Sequence, residues 1–186
     1  AACAWLMLPV TALAADAPGT MRVDYFHTGG NGVDVFALDR VSVEPLPWPG
    51  HPARALDSGE PGTYRFEVRD TGGRVLHARG FASIFGEWVT TAEAAEAHRT
   101  FHESLRFPVP DGPVEVTVLR RREDQSFETA WQTRVDPADP FVVRATPPRQ
   151  ELLAIERSGE PADKVDLLLV GDGYTSAECA AKFGPD

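Results

Sequence analysis

From Met21 to about Arg134, apolar and polar residues alternate with a period of two. A half-buried strand imposes that spacing, because successive side chains point to opposite faces of the sheet. Tyr64, Phe66 and Val68 alternate with Arg65, Glu67 and Arg69 before the turn residues Asp70-Thr71-Gly72-Gly73 and the return Val75-Leu76-His77-Ala78, which predicts a β-hairpin. Val114, Val116 and Val118 form a second alternating face; a charged run to Ser126 turns the chain, and Phe127, Thr129, Trp131 and Thr133 return. Earlier strands are expected over Arg22–His27, Val33–Leu38 and Arg40–Glu44, the first two separated by the turn Thr28-Gly29-Gly30-Asn31-Gly32. Short strands at this spacing predict an antiparallel β-sandwich, so the fold class is mainly β.

Two stretches interrupt the alternation. Thr90-Thr91-Ala92-Glu93 reads as a capping box, and Ala92–Arg99 are mostly good helix formers, so one short helix is expected there. Leu46-Pro47-Trp48-Pro49-Gly50-His51-Pro52 is expected to be loop, because proline cannot donate to a sheet ladder.

After the last hairpin, Asp136-Pro137-Ala138-Asp139-Pro140 and Thr146-Pro147-Pro148 punctuate the chain, and the polar stretch Arg157–Asp163 follows. The character then changes. Val165-Asp166-Leu167-Leu168-Leu169-Val170 is nearly continuous apolar sequence, as expected of a strand covered on both faces. Gly171-Asp172-Gly173-Tyr174 turns the chain, and Thr175-x-x-Glu178 is a capping box that opens a helix. Strand, turn and helix start an α/β domain that is cut short at Asp186. The expected organisation is a leader remnant at 1–15, a sandwich at 20–145, a linker at 146–163 and the truncated α/β start at 164–186.

The leader reading rests on the uncharged AACAWLMLPVTALAA, which ends in the small-x-small pattern Ala12-Leu13-Ala14. That is the tail of a secretory signal and predicts a secreted or periplasmic product. Cys3 lies within this segment ahead of its apolar part, the wrong side for lipid attachment. Without it only Cys179 remains, so no disulfide framework is expected and stability must come from packing. No stretch approaches the ~20 apolar residues of a membrane span. A net charge of −10 argues against a nucleic-acid partner, whose phosphates would be repelled. Arg120-Arg121-Arg122 runs straight into Glu123 and Asp124 and reads as a solvated strand end rather than a phosphate site.

Five segments, in order, resemble the IgA metallopeptidase family, exported bacterial zinc peptidases with a β-sandwich ahead of the catalytic domain. They are Tyr25-Phe26-His27-Thr28-Gly29, Leu38-Asp39-Arg40-Val41, Arg79–Thr91 (RGFASIFGEWVTT), Arg99–Pro108 (RTFHESLRFP) and Val165–Glu178 (VDLLLVGDGYTSAE). The resemblance implies that 164–186 open a metallopeptidase domain and that the parent is a zinc-dependent endopeptidase acting on protein or peptide substrates. It also implies zinc ligands on an H-E-x-x-H type motif after the Gly-Asp-Gly-Tyr-Thr turn. There, two His at i and i+4 share a helix face and the Glu acts as base on metal-bound water. No such motif occurs in these 186 residues, so no catalytic, cofactor-binding or metal residue is assigned within them.

Other constellations carry blander readings. His98-x-x-x-His102, followed by Glu103, has metal-like spacing, but the segment runs into the strand-like Leu105-Arg106-Phe107 and reads as a helix-to-strand junction. Gly171-Asp172-Gly173 lacks the third glycine of a dinucleotide fingerprint and the lysine of a P-loop, and reads as a tight turn. Phe81, Phe85, Trp88, Trp48 and Trp131 read as core rather than as a sugar- or peptide-binding surface. The rival to the peptidase reading is a non-enzymatic exported sandwich that binds a ligand.

Overall fold

The computed structural model describes residues 18–144 apart from 58, 60 and 61, then 146, 156, 158, 159, 164, 165, 167 and 173–183. Among the described residues, seven strands form two antiparallel sheets. β1 (Gly19–Gly30), β2 (Val33–Pro47) and β5 (Arg99–Pro108) make a three-stranded sheet in the order β2-β1-β5. β3 (Tyr64–Asp70), β4 (Val75–Phe81), β6 (Val114–Arg121) and β7 (Phe127–Val135) make a four-stranded sheet in the order β4-β3-β6-β7. The expected mainly β, two-sheet class is the one observed.

The core is the meeting of the two inward faces. Met21, Val23, Tyr25, Leu105 and Phe107 from one sheet pack against Tyr64, Phe66, Val68, Val114, Val116, Val118 and Val135 from the other, each at most 5% exposed. Burying a side chain of this size is worth roughly 1.5–3 kcal/mol, so alternation alone supplies most of what holds the sheets together. Phe85 is buried, while Phe81 and Trp131 are partly buried against the core and Trp48 and Trp88 are half-buried at its margins.

Both sequence-predicted hairpins form. β3 and β4 are joined by a turn in which Asp70 Oδ1 accepts from the amides of Gly72 and Arg74, each at 2.9 Å. β6 and β7 are joined by a turn in which Asp124 Oδ1 accepts from the Ser126 amide at 2.9 Å.

Three expectations about β1 and β2 are corrected. The segments Val33–Leu38 and Arg40–Glu44 are one strand, β2, because the ladder steps from Tyr25↔Leu38 to Asp24↔Arg40 and absorbs Asp39 as a bulge. The strand also continues through Leu46 and Pro47. β2 is an edge strand, where the missing proline N–H breaks no ladder bond, so proline is tolerated. The turn from β1 is tighter than expected: only Asn31 and Gly32 are unpaired, both at positive φ (50° and 79°), as in a two-residue hairpin of the primed type.

The expected helix over Ala92–Arg99 is replaced by a single 3-10 turn at Ala92–Ala95, and Arg99 already belongs to β5. Thr91 makes no side-chain cap. The Glu93 carboxylate, which a capping box would turn back onto the helix start, instead accepts from Trp88 Nε1 at 3.0 Å and Arg99 Nη2 at 2.5 Å. The α-helix lies upstream: α1 (Ile84–Trp88) is capped by Ser83, whose Oγ accepts from the Gly86 amide at 2.7 Å. Ser83 is buried, so Ser83→Ala should cost about 1 kcal/mol, read as a lower urea midpoint at unchanged m-value.

Beyond β7 the chain doubles back onto the first sheet. Val143 forms a parallel bridge with Ser42, its amide donating to Val41 O and its carbonyl accepting from Val43 N, both at 2.9 Å. At the other end of β2, Trp48 N donates to Pro18 O at 2.6 Å. The expected capping box at Thr175 forms: Thr175 N donates to Glu178 Oε2 at 2.8 Å and Glu178 N to Thr175 Oγ1 at 3.3 Å, opening α2 (Ser176–Phe183). Of the strand expected over Val165–Val170, Val165 and Leu167 are described; neither is in a strand, and both are exposed. The rest of that run, the leader at 1–15 and Gly171-Asp172 lie outside the described residues.

Candidate functional site

The alternation that builds the core also carries polar residues into it. His27 is in phase with Met21, Val23 and Tyr25 on β1, Glu103 with Leu105 and Phe107 on β5, and Arg120 with Val114, Val116 and Val118 on β6. At the end of the sandwich where α1 packs, these residues meet. His27 Nε2 lies 2.6 Å from Asp34 Oδ1 of β2, and its Nδ1 lies 3.6 Å from Glu103 Oε2. Asp34 Oδ2 accepts from Arg120 Nη1 at 2.8 Å and from the Tyr64 hydroxyl at 3.3 Å. Glu103 accepts from the Tyr25 hydroxyl at 2.8 Å and from the Phe85 amide at 3.2 Å. Arg120 Nη2 also donates to Glu128 Oε1 at 2.5 Å.

The imidazole is enclosed. Its ring stacks on Phe36 (centroids 4.0 Å apart) and Phe85 (3.9 Å), with Tyr64 edge-on at 5.4 Å, and His27 is 0% exposed. Burial pulls the His27 pKa down, but the hydrogen bonds and charges of Asp34 and Glu103 outweigh it and hold the pKa above its ordinary value. Burial likewise works against the Asp34 and Glu103 carboxylates, and again the partners prevail: His27 and Arg120 lower Asp34, while His27, the Tyr25 hydroxyl and the Phe85 amide lower Glu103. Burial, reinforced by the neighbouring carboxylates, pushes the Tyr25 and Tyr64 phenols far up, so both remain proton donors.

A His–Asp pair with a second carboxylate resembles the orienting half of a hydrolytic triad. Here no hydroxyl or thiol meets either ring nitrogen among the described residues, and the ring has no solvent-facing side. The cluster joins strands from both sheets.

A second constellation lies on the outer face of the three-stranded sheet. Ligand atoms of Asp24, Asp39 and His102 fall within 4.8 Å of one another. His102 Nε2 is 3.1 Å from Asp39 Oδ2, and the fully buried Asp24 takes Arg22 Nε at 2.6 Å and Arg40 Nε at 2.8 Å. Burial raises the Asp24 pKa, but the two guanidinium groups prevail and lower it. This set does not fit a catalytic zinc, which needs three free protein ligands and an open fourth position. Asp24 already has its charge matched, and the two arginines repel an incoming cation.

The singled-out His98-x-x-x-His102 spacing does not form a pair. His98 is exposed just before β5 and His102 is within it, so the two do not share the helix face that the spacing would need. The arginine run ends β6, but Arg120 is not simply solvated: it turns in to Asp34 as well as to Glu128, while Arg122 pairs with Glu128 and Arg121 lies over the Phe127 ring at 4.4 Å. Sequence reasoning missed the His27 cluster. The available signal was polar residues occupying the inward phase of otherwise apolar strands.

A family model described as the peptidase M64 N-terminus matches residues 14–132, a stretch that begins ahead of β1 and ends within β7. No curated protein matches the chain. With well over half its length covered by that model and a two-sheet fold over the same residues, the chain belongs to the M64 peptidase N-terminus family, M64 being the IgA peptidase family.

Proposed function

We propose that this chain is the leading part of an exported zinc-dependent endopeptidase, in which the sandwich is an ancillary domain that positions the catalytic domain or guides protein substrates to it. The observation that carries the reading is the near coincidence of the family match, 14–132, with the seven strands. In this organisation residues 20–145 form the ancillary domain, 146–163 a linker and 164–186 the start of the catalytic domain. The zinc ligands lie after Asp186 on an H-E-x-x-H helix, where the metal supplies an activated water. The uncharged leader directs export and is removed near Ala14-Ala15.

The test is the reading frame past Asp186 together with its product. An in-frame H-E-x-x-H is expected. The longer product should cleave an unfolded protein such as casein and lose that activity to a chelator, while the 186-residue chain is inert with or without zinc. Mass spectrometry of the exported product should place its first residue near Asp16. A frame without the motif, or a longer product whose activity survives chelation, would overturn the zinc peptidase reading in favour of an exported binding sandwich.

A further inference from the structure

We propose that the His27 cluster is a proton-operated clasp: protonated His27 ties Asp34 and Glu103 together and holds α1 on the sandwich, and loss of its proton releases that end. The idea goes beyond the peptidase reading and does not depend on it.

The geometry requires the charged ring. Nε2 faces Asp34 at 2.6 Å, and Nδ1, which has no hydrogen-bond partner, faces Glu103 at 3.6 Å. A neutral imidazole carries one N–H, so its other nitrogen would present a lone pair to a carboxylate. Only the doubly protonated ring is attractive on both sides. Stacking by Phe36 and Phe85 prevents water from substituting for the lost interaction.

Every element packed on the ring is accounted for. β2 contributes Asp34, β5 Glu103, β3 the Tyr64 hydroxyl and β1 the Tyr25 hydroxyl. β6 contributes Arg120 through Asp34, and β7 contributes Glu128 through Arg120. α1 contributes the Phe85 ring and amide, and its own carboxylate, Glu87, is exposed. When His27 loses its proton, Asp34 and Glu103 are left with one cation, Arg120, which already serves Glu128. Glu103 also accepts the α1 amide, so repulsion at Glu103 acts directly on α1.

The sign follows from linkage. A histidine whose folded pKa lies above its unfolded value, near 6.5, contributes stability that is complete below the unfolded value and is lost as pH rises through the folded one. The clasp is therefore shut in mildly acidic solution and weakens towards alkaline pH.

The test uses the 186-residue chain in urea between pH 6 and 9, with nitrogen-15 spectra of its histidine rings. In the unaltered protein both His27 nitrogens should read as protonated at pH 6.5 and titrate above the ordinary histidine value. The unfolding equilibrium constant should rise with pH, roughly tenfold for each unit by which His27 exceeds its unfolded value. His27→Gln should remove that pH slope. Amide exchange at Phe85 and Val89 should accelerate beyond the intrinsic base-catalysed increase. A neutral His27 ring at pH 6.5, read on the unaltered protein and so independent of any variant's folding, would overturn the proposal. So would a flat stability profile over this window, or α1 exchange that follows the intrinsic rate.

Discussion

Glu103→Ala should lower the stability of the sandwich by about 3–5 kcal/mol, the range for breaking a buried charge pair by removing one member. Two donors lose their acceptor at once, the buried Tyr25 hydroxyl and the Phe85 amide of α1, and the His27 imidazolium loses the charge facing its Nδ1. The carboxylate itself is largely buried, so water does not replace it at Glu103 in the folded state. Glu103→Gln separates charge from hydrogen bonding. It retains an acceptor for Tyr25 or the Phe85 amide but not the negative charge facing His27, and should cost about half as much. The measurement is urea denaturation of both variants at pH 6, where the ion pair is complete. A loss below about 1 kcal/mol for Glu103→Ala would mean the cluster behaves as a solvated surface pair.

Gly30→Ala is the second substitution expected to be severe, at about 3 kcal/mol or more. Gly30 ends β1 at φ +130°, a region side chains rarely adopt, and a Cβ built there would lie 2.1 Å from the carbonyl oxygen of Ala97. That neighbour is backbone and cannot swing aside. It belongs to the segment pinned by the Asn31 amide, which donates to Ala94 O at 2.6 Å. Gly32, two residues on, provides the control: its φ is +79° but no atom lies within 4 Å of a Cβ there. Gly32→Ala should therefore cost only the conformational term, about 1 kcal/mol. Equal effects at the two positions would show that the contact with Ala97 is not rigid.

The fold was legible wherever one physical signal dominated. Tyr64–Val68 and Val114–Val118 alternate without interruption and are bounded by turn residues, and both hairpins form as read. The readings failed where a local preference met a stronger distant partner. Glu93 matches a capping box, but Arg99 and Trp88 hold its carboxylate, and both lie outside the four-residue motif. α1 is five residues long, too short to show a helical period, and its cap, Ser83, has no acidic residue three positions on. Val33–Leu38 and Arg40–Glu44 look like two strands because the bulge at Asp39 shifts the phase of alternation by one residue.

The polar cluster was hidden for another reason. His27 meets Glu103 76 positions away, and Asp34 meets Arg120 86 positions away. Only the sheet order β2-β1-β5 and the packing of β6 opposite it bring them together. The His98/His102 spacing was visible, but His98 precedes β5 and His102 lies within it, so the two imidazoles do not share a helix face.

The bridge between Val143 and β2 has a topological consequence. Gly19 and Thr20 pair with one side of β2 near Pro47 and Glu44, and Val143 pairs with its other side at Ser42. The two points where the polypeptide crosses the boundary of the sandwich are thus about two strand spacings apart across the sheet, roughly 10 Å, and two to five residues apart along β2, roughly 7–16 Å. The sandwich is a closed loop of chain fastened at a single seam. A short peptide could join those points directly, with new termini opened at the Asn31-Gly32 turn. Both the first and the last described points of the sandwich chain are thus held by the same edge strand, so a single strand, β2, closes the loop.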